Sequence, residues 1–381
     1  MDIKYFDNSA TTQVKEEVVQ EMIPYLKTEY GNPSAIYGIG RSAKRAIEKA
    51  RERVARLINC DVDEIYFTSC GTESDNTAIK GIAYKNKKFG NHIITSKIEH
   101  PAILNSCKNI EGKGFKVTYI NVDEYGMVDL NELENSITND TILVSIMTAN
   151  NEIGTIEPIQ EIANIVHKYN IIFHTDSVQA IGNIDIDVKR LGIDMLSMSG
   201  HKIYAPKGVG ALYVRKKVEF ERFLDGGHQE KNFRSGTENV ASIVGFGKAC
   251  EIAKENLKNY QEKLKYLRDY TLSRILREIP NSYINGSIKN RLPGNINVSF
   301  EGVNSTELLY KLDSVGICAS GGSACSSRDT KPSYVLTAIG VPERLVHNTI
   351  RITFGDFNKI DDANYLIENL KNIIYEIRNK S

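Results

Sequence analysis

The sequence predicts an α/β protein with a large domain, built on a mostly parallel sheet between helices, and a smaller α+β domain. Two features carry this prediction. Apolar segments of strand length alternate with amphipathic helical patterns between about residues 65 and 176, and repeated βα units of this kind form parallel sheets covered by helices. A long helical pattern then runs from Val240 to about Ile279, and the strand and helix patterns beyond it are shorter.

A chain of 381 residues is long enough for two hydrophobic cores. We expect residues 16–256 to form the large domain, and residues 1–15 with 257–381 to form the small one. Helical patterns begin at Lys15 and Arg41, on either side of the breaker segment Gly31-Asn32-Pro33-Ser34. The later elements are predicted, in chain order, as strand Ile65–Thr68, a helix from Thr77, strand His92–Thr95, helix Pro101–Asn109, strand Lys116–Ile120, helix Leu130–Ser136, strand Ile142–Met147, helix Pro158–Tyr169, strand Ile171–Asp176, the long helix from Val240, strand Asn295–Phe300, helix Ser305–Ser314, strand Gly316–Ala319, helix Ser333–Ile339, strand Thr349–Thr353 and helix Asp361–Ile377.

The charge balance and the hydropathy pattern argue against several classes of protein. The 48 Lys and Arg residues equal the 48 Asp and Glu residues, which gives no electrostatic reason to expect nucleic acid or an anionic membrane as a partner. The N-terminus carries charges where a signal peptide has an apolar core. The six cysteines are dispersed without a CxxC pair or a zinc-ligand spacing. We therefore expect a cytoplasmic enzyme with reduced cysteines.

Two charged residues follow apolar segments in the way that a pyridoxal phosphate (PLP) site requires. Asp176 ends the strand pattern that starts at Ile171, and Lys202 follows Ser199-Gly200-His201 after a short apolar segment. In such a site the lysine forms a Schiff base with the cofactor, and the carboxylate keeps the pyridine nitrogen protonated. Taken alone, Lys202 is better explained as a solvated surface charge. The neighbouring strand ends make that explanation weaker, because ligands of parallel sheets bind beyond these ends.

Other candidates follow other predicted strands. Gly71 and Thr72 lie between a strand and a helix, which suits a phosphate cradle, although taken alone they are better explained as an ordinary helix cap. His100 precedes Pro101, and a histidine there can lie on a pyridine ring and move protons, or be purely structural. The amides of Asn151 and Gln179 suit a phenolic oxygen, or loop backbone.

Two further residues suggest a reactive thiol and a binding site for the carboxylate of an amino acid. Cys325 lies in a Gly- and Ser-rich polar segment rather than among apolar neighbours, where a thiolate is accessible. Arg351 lies inside the alternating strand pattern Thr349–Thr353. An arginine there needs a partner, either a structural carboxylate or the carboxylate of a substrate.

With these residues, the chain resembles the cysteine desulfurases, fold-type I PLP-dependent transferases related to the class V aminotransferases. The resemblance extends over almost the whole chain. It is carried by the segments Asn8–Thr12, Gly31–Ser34, Phe67–Asn76, Glu99–His100, Asn150–Gly154, His174–Gln179, Ser199–Lys202, Arg234–Thr237, Ser323–Cys325 and Thr349–Gly355. The interval Cys325–Pro332 is similar to the longer loop of the members that serve iron–sulfur assembly.

The resemblance implies a role for each candidate residue. Lys202 would carry PLP, Asp176 would pair with the ring nitrogen, and His100 would stack on the ring. Asn151 and Gln179 would bind the phenolic oxygen. The phosphate would be bound by Gly71, Thr72, Ser199 and His201, and by Thr237 from the neighbouring subunit of a homodimer. Arg351 and Asn32 would bind the substrate, and Cys325 would carry the persulfide and transiently ligate an iron–sulfur cluster. The implied partners are L-cysteine and an iron–sulfur scaffold or another sulfur-acceptor protein.

The chain departs from the family pattern at a few positions. Its sequence also leaves three other functions open. Cys70 and His228 stand where the family commonly has glycine, and Ser320-Gly321-Gly322-Ser323 contains a glycine in place of a serine. A second thiol near the phosphate therefore remains open. The alternatives on the same fold are a class V aminotransferase and a selenocysteine lyase. A non-catalytic scaffold is a third alternative, which Lys202, Asp176 and Arg351 together argue against.

Overall fold

The computed structural model describes residues 3–321 and 332–380. Its helices are α1 Glu16–Lys27, α2 Gly38–Ile58, α3 Gly71–Asn86, α4 Pro101–Glu111, α5 Leu130–Ser136, α6 Ile159–Lys168, α7 Val188–Leu191, α8 Val240–Glu278, α9 Ser305–Ser314, α10 Tyr334–Ala338, α11 Glu343–Val346 and α12 Ile360–Lys380. Its strands are β1 Lys4–Tyr5, β2 Ile65–Thr68, β3 His92–Ser96, β4 Lys116–Ile120, β5 Thr141–Ser145, β6 Ile172–Asp176, β7 Met195–Ser199, β8 Gly210–Val214, β9 Ser282–Ile284, β10 Asn295–Phe300, β11 Ile317–Cys318 and β12 Thr349–Thr353. Within the described ranges, none of the helices is long and apolar enough to cross a membrane.

A seven-stranded sheet forms the centre of the first part of the chain. Its strand order is β2-β8-β7-β6-β5-β3-β4. Strand β8 runs in the direction opposite to the other six strands. Strands β3, β5 and β7 are buried along their whole length, as expected for a sheet covered by helices on both faces. The predicted α/β architecture is confirmed, although the sequence patterns did not identify β8.

Two smaller sheets lie in the rest of the structure. Strands β12, β10 and β9 form an antiparallel sheet, and β1 pairs in parallel with β11. Lys4 and Tyr5 therefore lie beside Ile317 and Cys318, which brings the first residues of the chain next to its last third. This pairing places the N-terminal segment over the end of the large sheet.

Helix α8 contributes to two hydrophobic cores. Phe246 and Cys250, in its first half, belong to the core beside the large sheet. Leu264 and Ile275, in its second half, belong to a core formed with β10, β12 and α12. A continuous helix of 39 residues thus connects the two cores. The division between residues 256 and 257 falls within this helix and stays a prediction.

Most predicted elements agree with the structure to within a few residues, and α3 is the largest difference. It begins at Gly71, six residues before the predicted start. The carboxylate of Glu73 accepts hydrogen bonds from the backbone N–H of Ser69 at 2.8 Å and from its hydroxyl at 2.5 Å. These contacts cap the helix, because they satisfy a backbone donor in front of its first turn.

Candidate active site

The ends of the parallel strands surround a cleft of about 200 Å³. Ten residues predicted from the sequence line it: Gly71, Thr72, His100, Asn151, Asp176, Gln179, Ser199, His201, Lys202 and Arg351. Each belongs to a segment that follows a strand of the large sheet, except Arg351, which lies on β12. The strand order thus brings together side chains that are up to 280 residues apart in the sequence.

Lys202 ends a single 3₁₀ turn, Gly200–Lys202, directly after β7. Its Nζ donates hydrogen bonds to the backbone carbonyls of Ser9 at 2.5 Å and Ala10 at 2.8 Å. The N-terminal segment therefore holds the lysine in place. Two carbonyl dipoles at this distance favour a protonated amine, so Nζ is well placed to receive a proton.

Asp176, Asp75 and His100 form a compact group of titratable side chains. One ligand atom of each lies within 4.8 Å of those of the other two. Burial raises the pKa of Asp176, and His100 and Lys202 partly oppose this. Burial and the nearby Asp176 raise the pKa of Asp75 well above its usual range. Because two buried carboxyl groups at this separation resist carrying two negative charges, a cationic ring nitrogen beside them would be stabilised.

His100 is the N-cap residue of α4, and its Nδ1 accepts a hydrogen bond from the N–H of Ala102 at 3.1 Å. This contact requires an unprotonated Nδ1. Burial lowers the pKa of His100, with Asp176 acting in the opposite direction. The imidazole is therefore held neutral, with its single proton on Nε2.

The start of α3 forms one wall of the cleft, where a phosphate group could bind. A Cβ atom on Gly71 would lie 2.7 Å from Cγ2 of Val178, so a larger side chain would close this wall. The hydroxyl of Thr72 and the first backbone N–H groups of the helix are the donors an anion needs there. Burial and the charges of Lys202 and Lys207 lower the pKa of His201 to about 4, which keeps His201 neutral.

The two predicted amide residues differ in their hydrogen bonding. Oδ1 of Asn151 is buried and has no hydrogen-bond partner among the described residues. Gln179 instead donates from Nε2 to the carbonyl of Ser9 at 2.9 Å. The unpaired oxygen of Asn151 is the clearer sign of a missing ligand, since buried polar atoms are rarely left without a partner.

Arg351 is almost fully buried, with 1% of its surface exposed. Its Nη2 contacts Oδ1 of Asp7 at 2.8 Å, and its Nη1 donates to the carbonyl of Asn151 at 2.9 Å. Its Nε is buried without a hydrogen-bond partner among the described residues. The Nε–H of the guanidinium therefore remains for a ligand in the cleft.

Two predicted residues lie elsewhere, and a third is not among the described residues. Thr237 lines a separate pocket with Glu230 and Arg234. Asn32 is exposed, and its Oδ1 accepts a hydrogen bond from the N–H of Ser34 at 2.9 Å. Cys325 lies outside the described residues.

Comparison with known proteins agrees with this geometry. The class-V aminotransferase family model matches residues 4–366. A cysteine desulfurase named IscS from Methanosarcina thermophila is 52% identical over 99% of this chain and 93% of its own length. Another IscS, from Clostridium botulinum, is 51% identical over 99% of this chain and 96% of its own length. The chain belongs to the class-V aminotransferase family, among the cysteine desulfurases. A solved NifS-like protein superimposes with a TM-score of 0.93 at 39% identity, covering 98% of this chain and 100% of that one.

Membership of the cysteine desulfurases confirms the resemblance identified from the sequence motifs and the predicted fold type. The family uses PLP, and the cleft fits that cofactor in three respects. It contains an amine at Lys202, a buried pair of carboxyl groups at Asp176 and Asp75, and a close-approach wall at Gly71. The unpaired buried oxygen of Asn151 is a fourth sign, because it requires a donor that the described residues do not supply.

Seven other described residues line the cleft. Among them, Cys70 was considered from the sequence as a second thiol near the phosphate, whereas Asp75 and the backbone contacts of Ser9 and Ala10 were not predicted. Asp75 follows Gly71 by four residues and Thr72 by three, so all three lie on one face of α3. That spacing is a signal the sequence did contain. Cys70 also lines the cleft, with its Sγ 3.7 Å from the hydroxyl of Ser69. Ser9 and Ala10 contribute backbone carbonyls, which no side-chain pattern reveals.

Proposed function

We propose that this desulfurase converts L-cysteine to L-alanine with PLP bound at Lys202, and that Cys325 carries the sulfur as a persulfide. The observation that supports it most is Arg351, a buried guanidinium with an unpaired Nε in the same cleft as Lys202 and Asp176. A buried cation with a free donor suits the carboxylate of an amino acid. The amine of Lys202 suits the aldehyde group of the cofactor, and the carboxyl groups of Asp176 and Asp75 suit its ring nitrogen.

Eight residues would hold the cofactor in this proposal. Lys202 provides the covalent link, and Asp176 accepts a hydrogen bond from the ring nitrogen. Burial raises the pKa of Asp176, and the charges of His100 and Lys202 partly oppose this rise. His100 lies against the ring, and Asn151 bonds the phenolic oxygen. The start of α3 at Gly71 receives the phosphate, together with Thr72, Ser199 and His201. When bound, PLP supplies an electron sink for the bonds at the substrate Cα.

Lys202 would then move the proton of the substrate Cα. Its Nζ takes this proton as the free amine, and the carbonyls of Ser9 and Ala10 stabilise the resulting ammonium. His100 is neutral with its proton on Nε2, from which it can donate that proton to a group in the cleft. Arg351 keeps the substrate carboxylate fixed during these transfers.

Cys325 would perform the step on sulfur. Its thiolate forms an S–S bond with the substrate sulfur, while the C–S bond of the substrate breaks and its electron pair stays on Cβ. Protonation of that carbon completes alanine. The outer sulfur of the persulfide then passes to an acceptor, either an iron–sulfur scaffold or another sulfur-acceptor protein. A transient contact of Cys325 with iron during this transfer belongs to the same proposal.

We also propose a homodimer in which Thr237 serves the cleft of the neighbouring subunit. The support is that Thr237 lines a pocket apart from the cleft of its own subunit, near Arg234. Arg234 is fixed there by Glu73, with Nε at 2.9 Å from the carboxylate. The division into a large domain, 16–256, and a small one, 1–15 with 257–381, is part of this proposal.

The test is an assay of alanine and sulfide from L-cysteine, with a thiol reductant and no keto acid. We expect equal amounts of alanine and sulfide from the wild type and a loss of orders of magnitude in Cys325→Ser, since a hydroxyl is a far weaker nucleophile. Cys60→Ser is the matched control, because Cys60 lies outside the cleft, and it should keep full activity. Alanine formation that needs a keto acid, or that survives in Cys325→Ser, would overturn the proposal in favour of an aminotransferase.

A further inference from the structure

Asp7 is the carboxylate that Arg351 contacts in the substrate-free protein. Its Oδ1 lies 2.8 Å from Nη2 of Arg351, and the two side chains are 16% and 1% exposed. Asp7 lies just after β1, 344 residues before Arg351 in the chain. The pair is thus a partly buried ion pair beside the cleft.

The contact occupies part of the edge of the guanidinium that a substrate would use. A carboxylate binds arginine most strongly through two parallel N–H donors, and Nε and Nη2 share one edge of the group. Nε has no hydrogen-bond partner among the described residues, whereas Nη2 already contacts Asp7. Two-point binding of a substrate carboxylate at this edge therefore requires Asp7 to share or release Nη2.

Asp7 also supplies the negative charge that balances Arg351. Glu152 is the other buried carboxyl group whose pKa is affected by Arg351, and burial raises that pKa above its usual value. Glu152 accepts a hydrogen bond from the hydroxyl of Ser333 at 2.6 Å. A substrate carboxylate therefore meets an arginine that already forms an ion pair with Asp7.

Ser320 offers Asp7 a second donor. Its hydroxyl donates to the same Oδ1 of Asp7 at 3.0 Å. Its backbone N–H donates to the carbonyl of Arg351 at 3.2 Å, and its carbonyl accepts from the N–H of Arg351 at 2.6 Å. When Nη2 turns to a substrate, Ser320 can keep the carboxylate of Asp7 hydrogen-bonded.

We infer that Asp7 is a specificity-determining residue that limits the affinity of the cleft for amino-acid carboxylates by competing for Nη2 of Arg351, and that Ser320 moderates this competition. The inference rests on the proposed role of Arg351 as the carboxylate site. Removing the charge of Asp7 while keeping its oxygen acceptor therefore strengthens carboxylate binding. Removing the hydroxyl of Ser320 has the opposite effect, because Asp7 then depends more on Arg351.

The experiment measures calorimetric dissociation constants of the PLP-loaded protein for L-alanine and for ethylamine, which is alanine without its carboxylate. We expect Asp7→Asn to tighten L-alanine binding about fivefold or more and to leave ethylamine unchanged. Ser320→Ala should weaken L-alanine binding about twofold. Asp140→Asn, which changes an exposed carboxylate outside the cleft, is the matched control and should change neither ligand.

The outcomes separate this inference from the proposed function. Unchanged or weaker L-alanine binding in Asp7→Asn, relative to ethylamine, overturns the inference. If Asp7→Asn does not fold, tighter L-alanine binding in Ser320→Ala overturns it instead. Arg351→Lys tests the proposed function by itself. If Arg351→Lys leaves the preference for L-alanine over ethylamine intact, the carboxylate site is elsewhere. If Arg351→Lys abolishes this preference and Asp7→Asn has no effect, only the role of Asp7 is wrong.

Discussion

Glu99→Gln should change how the stability of this protein depends on pH. Glu99 is fully buried immediately before His100. Its Oε1 accepts hydrogen bonds from the hydroxyl of Ser96 at 2.7 Å and the N–H of Met147 at 2.9 Å, whereas Oε2 has no hydrogen-bond partner among the described residues. Burial raises the pKa of Glu99 from 4.5 to about 8, with a further contribution from Asp176. A glutamine keeps the accepting oxygen and cannot ionise.

The sign follows from the direction of the shift. The folded state binds the Glu99 proton more tightly than the unfolded state, so the stabilisation is full below about pH 4.5 and is lost as the pH rises through about 8. Each pH unit in that interval costs the wild type at most about 1.4 kcal/mol. Between about pH 5 and 7.5 the wild type should therefore lose roughly 3 kcal/mol more than Glu99→Gln.

The assay is urea unfolding of both proteins at a series of pH values, compared as a difference. The charge of Glu99 contributes to the raised pKa values of Asp75 and Glu157. Below about pH 7.5 Glu99 is mostly protonated in the folded protein, so the contributions of these two groups largely cancel in the difference. Glu124→Gln, at an exposed position, is the control and should follow the wild type. Parallel stability profiles for the wild type and Glu99→Gln over this range would refute the reasoning, because they would mean that Glu99 is ionised in the folded protein.

Three further predictions concern the cleft. Lys202→Ala should lose the visible absorbance of the lysine-linked cofactor, and a band that borohydride still fixes to the protein would contradict the assignment. Arg351→Ala should raise KM for cysteine roughly 10- to 100-fold with a smaller change in kcat, as for one lost charge-assisted contact; a collapse of kcat at constant KM in steady-state kinetics would assign Arg351 another role. Gly71→Ala should weaken PLP binding in equilibrium dialysis, because the added Cβ would lie 2.7 Å from Cγ2 of Val178. Adding Val178→Ala to this variant should restore PLP binding. If binding is not restored, the contact with Val178 is not the cause of the loss.

The sequence by itself determined the parallel sheet, most element positions and the main chemical groups of the cleft. These are local properties. A strand buried on both faces, such as β5, contains consecutive apolar residues at its centre. A functional residue after such a strand belongs at the end of the sheet where ligands bind. Asp176 and Lys202 could be placed in this way because each directly follows its own strand.

Only the tertiary structure decided which distant segments meet at those ends. Ser9 and Ala10 hold Lys202 across more than 190 residues of chain, and Asp7 holds Arg351 across 344. These contacts depend on the pairing of β1 with β11 and on the order of strands in the sheet. Periodicity within one segment encodes which face of that segment is buried but carries no information about its neighbours. The same reason explains why β8, which enters the sheet antiparallel between β2 and β7, became visible only in the fold.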